Sequence, residues 1–184
     1  MKKGMIPLVC MVLTLVLIIV AFIGPWWGGT EEDEFTDMEV ESNMFLTKAV
    51  SKAGGAEITI DYEDLPDSDS KTVFSNTYYM VIITLVFSIL AIIGILGVTF
   101  NFGPIKTMNM IGLIFCILTF ILALVAALYF MVALPDATPD MDGFWMDSAG
   151  PAYGWYLMII SFILALIASI MIFMDKSVPK AAPK

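Results

Sequence analysis

The chain has 184 residues, of which 59% are apolar and only 15% are charged, and its formal net charge is −9 at pH 7. Soluble globular domains are about half apolar and about a quarter charged, so this composition excludes an ordinary soluble domain. The excess of acidic residues argues against nucleic acid as a partner, because nucleic acids are bound by basic surfaces.

Four apolar runs, each free of Asp, Glu, Lys and Arg, follow one another along the chain. Each is at least 22 residues long, and a helix needs about 20 residues to cross a hydrocarbon core of about 30 Å. The sequence therefore predicts a membrane α-helical protein, a bundle of four transmembrane helices. The predicted spans are residues 5–27, 78–100, 108–133 and 153–174.

The charged residues predict the orientation of these helices. Segment 28–77 has 13 acidic residues and three lysines, and segment 134–152 has four acidic residues and no base. The N-terminus, segment 101–107 and the tail 175–184 together have six lysines and one acidic residue. Because lysine near span ends marks the cytoplasmic side, we expect both termini and the 101–107 turn to be cytoplasmic. Segments 28–77 and 134–152 are then extracellular loops of a plasma-membrane protein.

The first helix is followed by two tryptophans and a block of acidic residues. Gly24-Pro25 weakens the helix just before Trp26 and Trp27, and Gly28-Gly29 lets the chain turn. Indole rings favour the membrane interface, so the pair is interpreted as an aromatic anchor before a solvated loop. A cleaved signal peptide is a weaker interpretation of residues 1–27, because the apolar run exceeds a signal core of about 7–15 residues.

The first loop is long enough to form a small extracellular β-sheet. Residues 45–62 resemble a hairpin with Gly54-Gly55 as its turn, and residues 35–41 suit a third strand. In the second strand of the hairpin, Ile58, Ile60 and Tyr62 alternate with polar residues and predict an apolar face. We expect this sheet to pack on the helix ends and on Trp26 and Trp27, which would cap it through their indole N–H groups. Phe144 and Trp145, in the second loop, are expected to cover the sheet or to enter the headgroup layer.

This layout resembles the claudin and peripheral-myelin-protein superfamily of four-helix membrane proteins. The residues that carry the resemblance are Trp26 and Trp27 after the first helix, the hairpin 45–62, and Gly154-Trp155 at the start of the fourth helix. The resemblance implies a claudin-like architecture. The family's Gly-Leu-Trp and cysteine pair are missing from the first loop, and the chain has no arginine. Junction formation and pore charge selectivity are therefore not part of the expectation.

The residue types present give little support to catalysis. Histidine is absent, and the four spans contain no Asp, Glu, Lys or Arg. We therefore predict that the protein is not an enzyme and that it has no cofactor and no defined small-molecule substrate. Two acidic clusters are weak candidates for calcium, because carboxylate oxygens suit that ion but the spacing of a calcium-binding loop is missing. The candidate ligands are Glu31, Glu32, Asp33, Glu34, Asp61 and Glu63.

Small residues recur three or four positions apart in helices two, three and four, where backbones could approach closely. The expected helix-packing residues are Gly94, Gly97, Ala123, Ala127, Ala165 and Ser169. The functional expectation is a non-enzymatic protein that acts by lateral or cell-surface interaction, to organise the membrane, to serve as the accessory subunit of a complex, or to adhere. Its expected partners are the lipid bilayer and a homo-oligomer or a larger membrane complex. One alternative is an oligomeric channel subunit with an acidic, cation-attracting vestibule, and another is a calcium-dependent surface receptor.

Overall fold

The computed structural model describes residues 5–33, 38–136 and 150–174. Within these ranges it contains four helices that are long and apolar enough to cross a membrane, and one small antiparallel sheet, which confirms both predicted features. The elements in chain order are α1 (Met5–Ile23), β1 (Trp27–Asp33), β2 (Met38–Met44), β3 (Lys48–Ala53), β4 (Ala56–Asp61), α2 (Asp69–Thr99), α3 (Ile105–Asp136), β5 (Gly150–Pro151) and α4 (Tyr153–Met174). A single turn of 3₁₀ helix, Tyr62–Asp64, follows β4.

Helix α1 ends at Ile23, four residues before the end of its apolar run. The backbone N–H of Gly24 donates the last helical hydrogen bond, to the Val20 carbonyl at 3.0 Å. Pro25 has no N–H to donate and restricts the residue before it, so the helix stops at this point. Trp26 and Trp27 therefore lie beyond the helix, and Trp27 is the first residue of β1.

Helix α2 begins at Asp69, nine residues before the apolar run that predicted it. Ser68 caps the helix, its hydroxyl accepting a hydrogen bond from the Lys71 backbone N–H at 3.2 Å, and Asp69 suits the positive end of the helix dipole. A helix of 31 residues is about 46 Å long, more than the thickness of a hydrocarbon core. Its polar first turns extend beyond the apolar section, beside the sheet.

The sheet has the strand order β4-β3-β2-β1-β5. The predicted hairpin is present as β3 and β4, and Gly54 and Gly55 form its turn with φ angles of 55° and 85°. Two glycines suit this turn because both positions have positive φ.

Three features of the sheet differ from the sequence interpretation. The strand expected at 35–41 is β2, which runs from Met38 to Met44. Part of the acidic block belongs to β1, which pairs with β2 from Trp27 to Asp33, because the backbone ladder does not depend on side-chain polarity. Finally, β5 comes from the second connecting segment and pairs with Trp27 and Gly28, so the first loop does not build the sheet alone.

The four helices form a closed bundle in which α1 packs on α2 and α4, and α3 packs on α2 and α4. Helices α2 and α3 approach closely at Gly94 and Gly112. A Cβ atom on Gly94 would lie 2.7 Å from the Gly112 Cα, so a side chain at this position would collide with the backbone of α3. The two helices can therefore cross here only because glycine has no side chain.

The bundle interior contains hydroxyl side chains that bond to their own helices. Each donates to a carbonyl three or four residues earlier, so these polar groups are satisfied inside an apolar environment. These hydrogen bonds are intrahelical and do not bridge neighbouring helices. The residues are Thr14, Thr77, Thr84, Ser88, Thr119, Ser161 and Ser169.

Candidate functional site

An aromatic cluster joins the sheet to the helices. Phe130 of α3 lies at its centre, with ring centroids 5.2 Å from Trp26 and 5.4 Å from Phe74 of α2. Both contacts are edge-to-face, the arrangement that aromatic quadrupoles favour. Tyr62, after β4, continues the cluster with its ring 4.8 Å from Phe74. We call these four residues, Trp26, Tyr62, Phe74 and Phe130, the aromatic junction.

Trp26 is completely enclosed by protein. Its indole N–H donates a hydrogen bond of 2.7 Å to the Ala21 carbonyl in the last turn of α1. Its backbone N–H donates to the Met44 carbonyl of β2 at 2.7 Å, and its carbonyl accepts from Ala152 at 3.0 Å. The residue therefore links a helix end and the sheet. The sequence favours Trp26 as a cap on the sheet as well as an anchor; the residue is buried between sheet and helices, but its indole N–H bonds to the end of α1 and not to the sheet.

The start of α4 is attached to the end of α1. The Gly154 N–H donates to the Pro25 carbonyl at 2.9 Å. A Cβ atom on Gly154 would lie 2.7 Å from that carbonyl oxygen and 3.0 Å from the Trp26 ring, which explains why glycine suits the position. The Trp155 indole N–H donates to the Ala127 carbonyl of α3 at 2.9 Å. Gly154 and Trp155 thus position α4 against two other helices.

The expected helix-packing residues are all buried, and several line the helix contacts. Ala123, Ala127 and Ala165 are fully buried and Ser169 is nearly so. Gly94 and Gly97 are also buried in α2. The sequence interpretation missed Gly112, the partner of Gly94, and missed Phe74 and Phe130. Phe130 resembles any lipid-facing aromatic in an apolar helix, and Phe74 lies in a segment that the sequence assigns to the end of the first loop.

Tyr62 places a polar group inside the aromatic junction. Its hydroxyl is buried and has no hydrogen-bond partner among the residues that the structure describes. Burial raises the pKa of the Tyr62 phenol, so the side chain is neutral at physiological pH. The residue therefore contributes through its ring and not through charge.

Two substitutions at Tyr62 separate the ring from the hydroxyl. Tyr62→Phe keeps the ring and removes a buried polar group that lacks a partner, so we expect the unfolding midpoint in detergent to stay the same or rise. Tyr62→Ala removes the contact with Phe74 and is expected to cost about 2–4 kcal/mol. Thermal unfolding followed by near-UV circular dichroism measures both. A loss of more than about 1 kcal/mol in Tyr62→Phe would show that the hydroxyl makes a stabilising hydrogen bond.

A groove of about 730 Å³ lies beside the aromatic junction, between the 3₁₀ turn and the first half of α2. Carboxylates line one part of it, and tyrosines line another. Lys71 also lines the groove, but its ammonium donates to the Leu65 carbonyl at 2.8 Å and lies 3.4 Å from Asp67. The groove therefore has a local excess of negative charge. The lining carboxylates and tyrosines are Asp61, Glu63, Asp64, Tyr62, Tyr78 and Tyr79.

The weak calcium candidates lie on two separate parts of the sheet. Glu31, Glu32 and Asp33 are in β1, whereas Asp61 ends β4 and Glu63 is in the 3₁₀ turn. Strands β2 and β3 separate β1 from β4, a distance of about 14 Å at the usual strand spacing. Among the side chains that the structure describes, no three acidic or cysteine groups come together as a metal site would need. Glu34 lies outside the described residues, as do Phe144 and Trp145.

Strand β4 forms one edge of the sheet and is exposed along most of its length. Ile58 is 62% exposed, although the alternation in the sequence predicted that it would face the helices. Ile60, two residues closer to the 3₁₀ turn, is partly covered. The apolar face of β4 is therefore covered only toward its C-terminal end.

No protein-family model matches the sequence, and no curated protein matches it.

Proposed function

We propose that this chain is a non-enzymatic plasma-membrane protein that acts by binding other proteins through its sheet, either laterally or at the cell surface. Two features found together support this function: the sheet is firmly attached to the helices, and its edge strand β4 is exposed. The aromatic junction fixes the sheet on the helices, while β4 presents Ile58 and its neighbours to solvent. Binding surfaces are commonly displayed on such rigid supports.

The attachment of the sheet needs no covalent bond. Cys10 and Cys116, the two cysteines of the chain, lie in α1 and α3. Backbone hydrogen bonds at Trp26 and Gly154 and the aromatic contacts hold the sheet instead. A sheet held in this way keeps the position of its edge strand fixed relative to the membrane, as selective protein binding requires.

The two alternatives receive less support. A channel through one bundle would need a polar path, but Met11, Ile18 and Met158 are fully buried in the interior and the buried hydroxyls bond to their own helices. An ion path between the protomers of an oligomer would instead run along the outer surfaces of the bundles. A calcium-dependent receptor would need several ligands from one cluster, and no group of three acidic side chains is found among those that the structure describes.

The proposal includes a relationship in architecture to the claudin and peripheral-myelin-protein superfamily. The supporting feature is the order of elements: a helix, four strands, two helices, a short strand and a final helix. A large β-rich segment after α1 and a short segment before α4 are what the resemblance implies. The proposal does not extend to junction formation, because the family's first-loop cysteines and Gly-Leu-Trp are absent from this sequence.

The proposed orientation, with both termini in the cytoplasm, predicts a labelling pattern. In a variant without Cys10 and Cys116, we expect Asp67→Cys to react with an impermeant maleimide added to intact cells. We expect Phe102→Cys to react only after permeabilisation, because the lysine distribution places the α2–α3 turn inside. Both side chains are exposed, so exposure does not bias the comparison. Labelling of Phe102→Cys alone in intact cells would reverse the orientation.

Site-specific photocrosslinking tests the function itself. Benzoylphenylalanine replaces Ile58, which is 62% exposed on the sheet edge, or Phe102, which is 67% exposed at the opposite end of the bundle. We expect irradiation of native membranes to give discrete protein adducts from position 58 and none of the same mass from position 102. Mass spectrometry then identifies the adducts. Indistinguishable adducts from both positions, or none from position 58, would contradict binding through the sheet.

A further inference from the structure

The groove beside the aromatic junction has one acidic end and one apolar, aromatic end. Carboxylates from the end of β4 and from the 3₁₀ turn form the acidic end. The other end is formed by tyrosines at the point where the apolar run of α2 begins, so it lies at the predicted boundary of the membrane. The carboxylates are those of Asp61, Glu63 and Asp64, and the tyrosines are Tyr78 and Tyr79.

The negative charge of the groove is not neutralised by the surrounding protein. None of the three carboxylates forms an ion pair with another residue in the described part of the chain. Lys71 is the lysine among the lining residues, but its ammonium lies 3.4 Å from Asp67, which does not line the groove, and donates to the Leu65 carbonyl at 2.8 Å. The groove therefore attracts a cation from outside the protein.

The spacing of the carboxylates favours an organic cation over a metal ion. Calcium takes six to eight oxygen ligands at close range, and no three acidic side chains within the described ranges come together in that way. An ammonium group on carbon needs no such coordination, because carboxylates a few ångströms away and aromatic faces both stabilise it. The groove volume of about 730 Å³ lies within the usual range for small-molecule sites.

The two tyrosines supply an aromatic corner of the kind that ammonium groups bind. The ring centroids of Tyr78 and Tyr79 lie 5.5 Å apart and the ring planes differ by 76°, so the rings meet almost at a right angle. Tyr78 also packs against Phe22 of α1, with centroids 5.3 Å apart, whereas Tyr79 is 60% exposed. The face of a tyrosine ring carries negative potential, and quaternary ammonium ions are commonly recognised by such faces.

The walls of the groove are fixed before a ligand arrives. The Tyr62 backbone N–H donates to the Thr47 carbonyl at 3.0 Å, and the Tyr62 ring packs 4.8 Å from Phe74. The bond from Lys71 to the Leu65 carbonyl ties the segment after the 3₁₀ turn to α2. A preformed site loses little conformational entropy on binding.

We propose that this groove binds a quaternary ammonium group of the choline type, with the cation between the carboxylates and the corner formed by Tyr78 and Tyr79. The group belongs either to a lipid headgroup in the leaflet beside the sheet or to a free small molecule. Ile82 continues the lining toward the membrane, as the glycerol end of a lipid would require. The inference goes beyond the proposed function, because the exposed Ile58 on β4 takes no part in it.

Native mass spectrometry of the full-length protein in an uncharged maltoside detergent tests the lipid source. Phosphatidylcholine and phosphatidylglycerol with identical acyl chains are added at equal concentration, and we expect at least about fivefold greater retention of phosphatidylcholine. Tyr79→Leu keeps an apolar side chain but loses the aromatic face, and it should reduce this ratio to below about twofold. Because Tyr79→Leu leaves the charge unchanged, loss of the ratio in this variant separates recognition of the ammonium group from repulsion of the anionic lipid.

Calorimetric titration without lipid tests the free source. The probes are choline chloride and its uncharged isostere, in which carbon replaces nitrogen. We expect choline to bind at least about fivefold more tightly than the isostere. Replacement of two groove carboxylates, Glu63→Gln with Asp64→Asn, should remove most of this difference. All three substituted residues are exposed, so these variants are expected to remain folded, which near-UV circular dichroism verifies.

Tyr156→Leu and Glu57→Gln are matched controls. Tyr156 is a tyrosine of α4 that is 52% exposed, and Glu57 is an exposed carboxylate of β4, and neither lines the groove. Both controls should bind like the unmodified protein. Choline binding without lipid selectivity would assign a free ligand, and lipid selectivity would assign a headgroup. Absence of both, or equal effects of Tyr79→Leu and Tyr156→Leu, would overturn the site.

Discussion

Replacing Trp26 with alanine is expected to lower the free energy of unfolding by about 3–5 kcal/mol and to loosen the sheet from the helices. The side chain is fully buried, its ring packs edge-on against Phe130 at 5.2 Å, and its N–H bonds to Ala21. Truncation removes all of these interactions and leaves a cavity at the centre of the aromatic junction. Hydrogen exchange should rise at the Trp26 and Ala152 amides, which connect the junction to β2 and to the start of α4.

Two comparisons make the Trp26 prediction specific. Trp26→Phe keeps an aromatic ring but loses the bond to the Ala21 carbonyl, so it should cost about 1 kcal/mol for the hydrogen bond, plus a smaller packing loss. Phe102→Ala removes an aromatic side chain that is 67% exposed, and it should change stability by no more than about 0.5 kcal/mol. Equal unfolding midpoints for Trp26→Ala and Phe102→Ala would mean that Trp26 is only a membrane anchor.

The helices could be predicted from sequence to the extent that their apolarity defines them. The fourth predicted span has the same bounds as α4, because a run without charged residues follows Gly150-Pro151 and is ended by Asp175. Helix α2 differs because seven of its first nine residues are polar, and this part of the helix depends on the Ser68 cap and on packing beside the sheet. A search for apolar runs does not detect a helix that continues into water.

The strands show a similar division between local and non-local signals. Gly54-Gly55 specifies the β3–β4 turn locally, so this hairpin could be predicted. Strand β1 has no local signal, since Gly28, Gly29 and the acidic residues after them are poor strand formers, and it exists because β2 and β5 pair with it. The aromatic junction is also non-local, because Phe74 and Phe130 meet Trp26 only once the bundle has formed.

Substitution of Gly94 should also have a large effect on the free energy of unfolding. The sign of the change shows whether α2 and α3 are in contact at this position. Alanine favours a helix over glycine by about 1 kcal/mol, so Gly94→Ala would stabilise α2 if the position were open. The added Cβ would instead meet the backbone of Gly112, 2.7 Å from its Cα, and backbone cannot rotate away. We therefore expect a net loss of about 1–3 kcal/mol for alanine, and a larger loss for leucine, because α2 and α3 must separate.

Two other glycines provide a graded control for this prediction. A Cβ on Gly97 would lie 2.7 Å from Cγ of Met108, whose flexible side chain can move, so Gly97→Ala should cost less than Gly94→Ala. A Cβ on Gly150 would meet nothing within 4 Å, so Gly150→Ala should be nearly neutral. Unfolding by sodium dodecyl sulfate in mixed micelles ranks the three variants. An increase in stability in Gly94→Ala would show that α2 and α3 do not cross at Gly94 and Gly112, because only an open site would retain the gain in helix propensity.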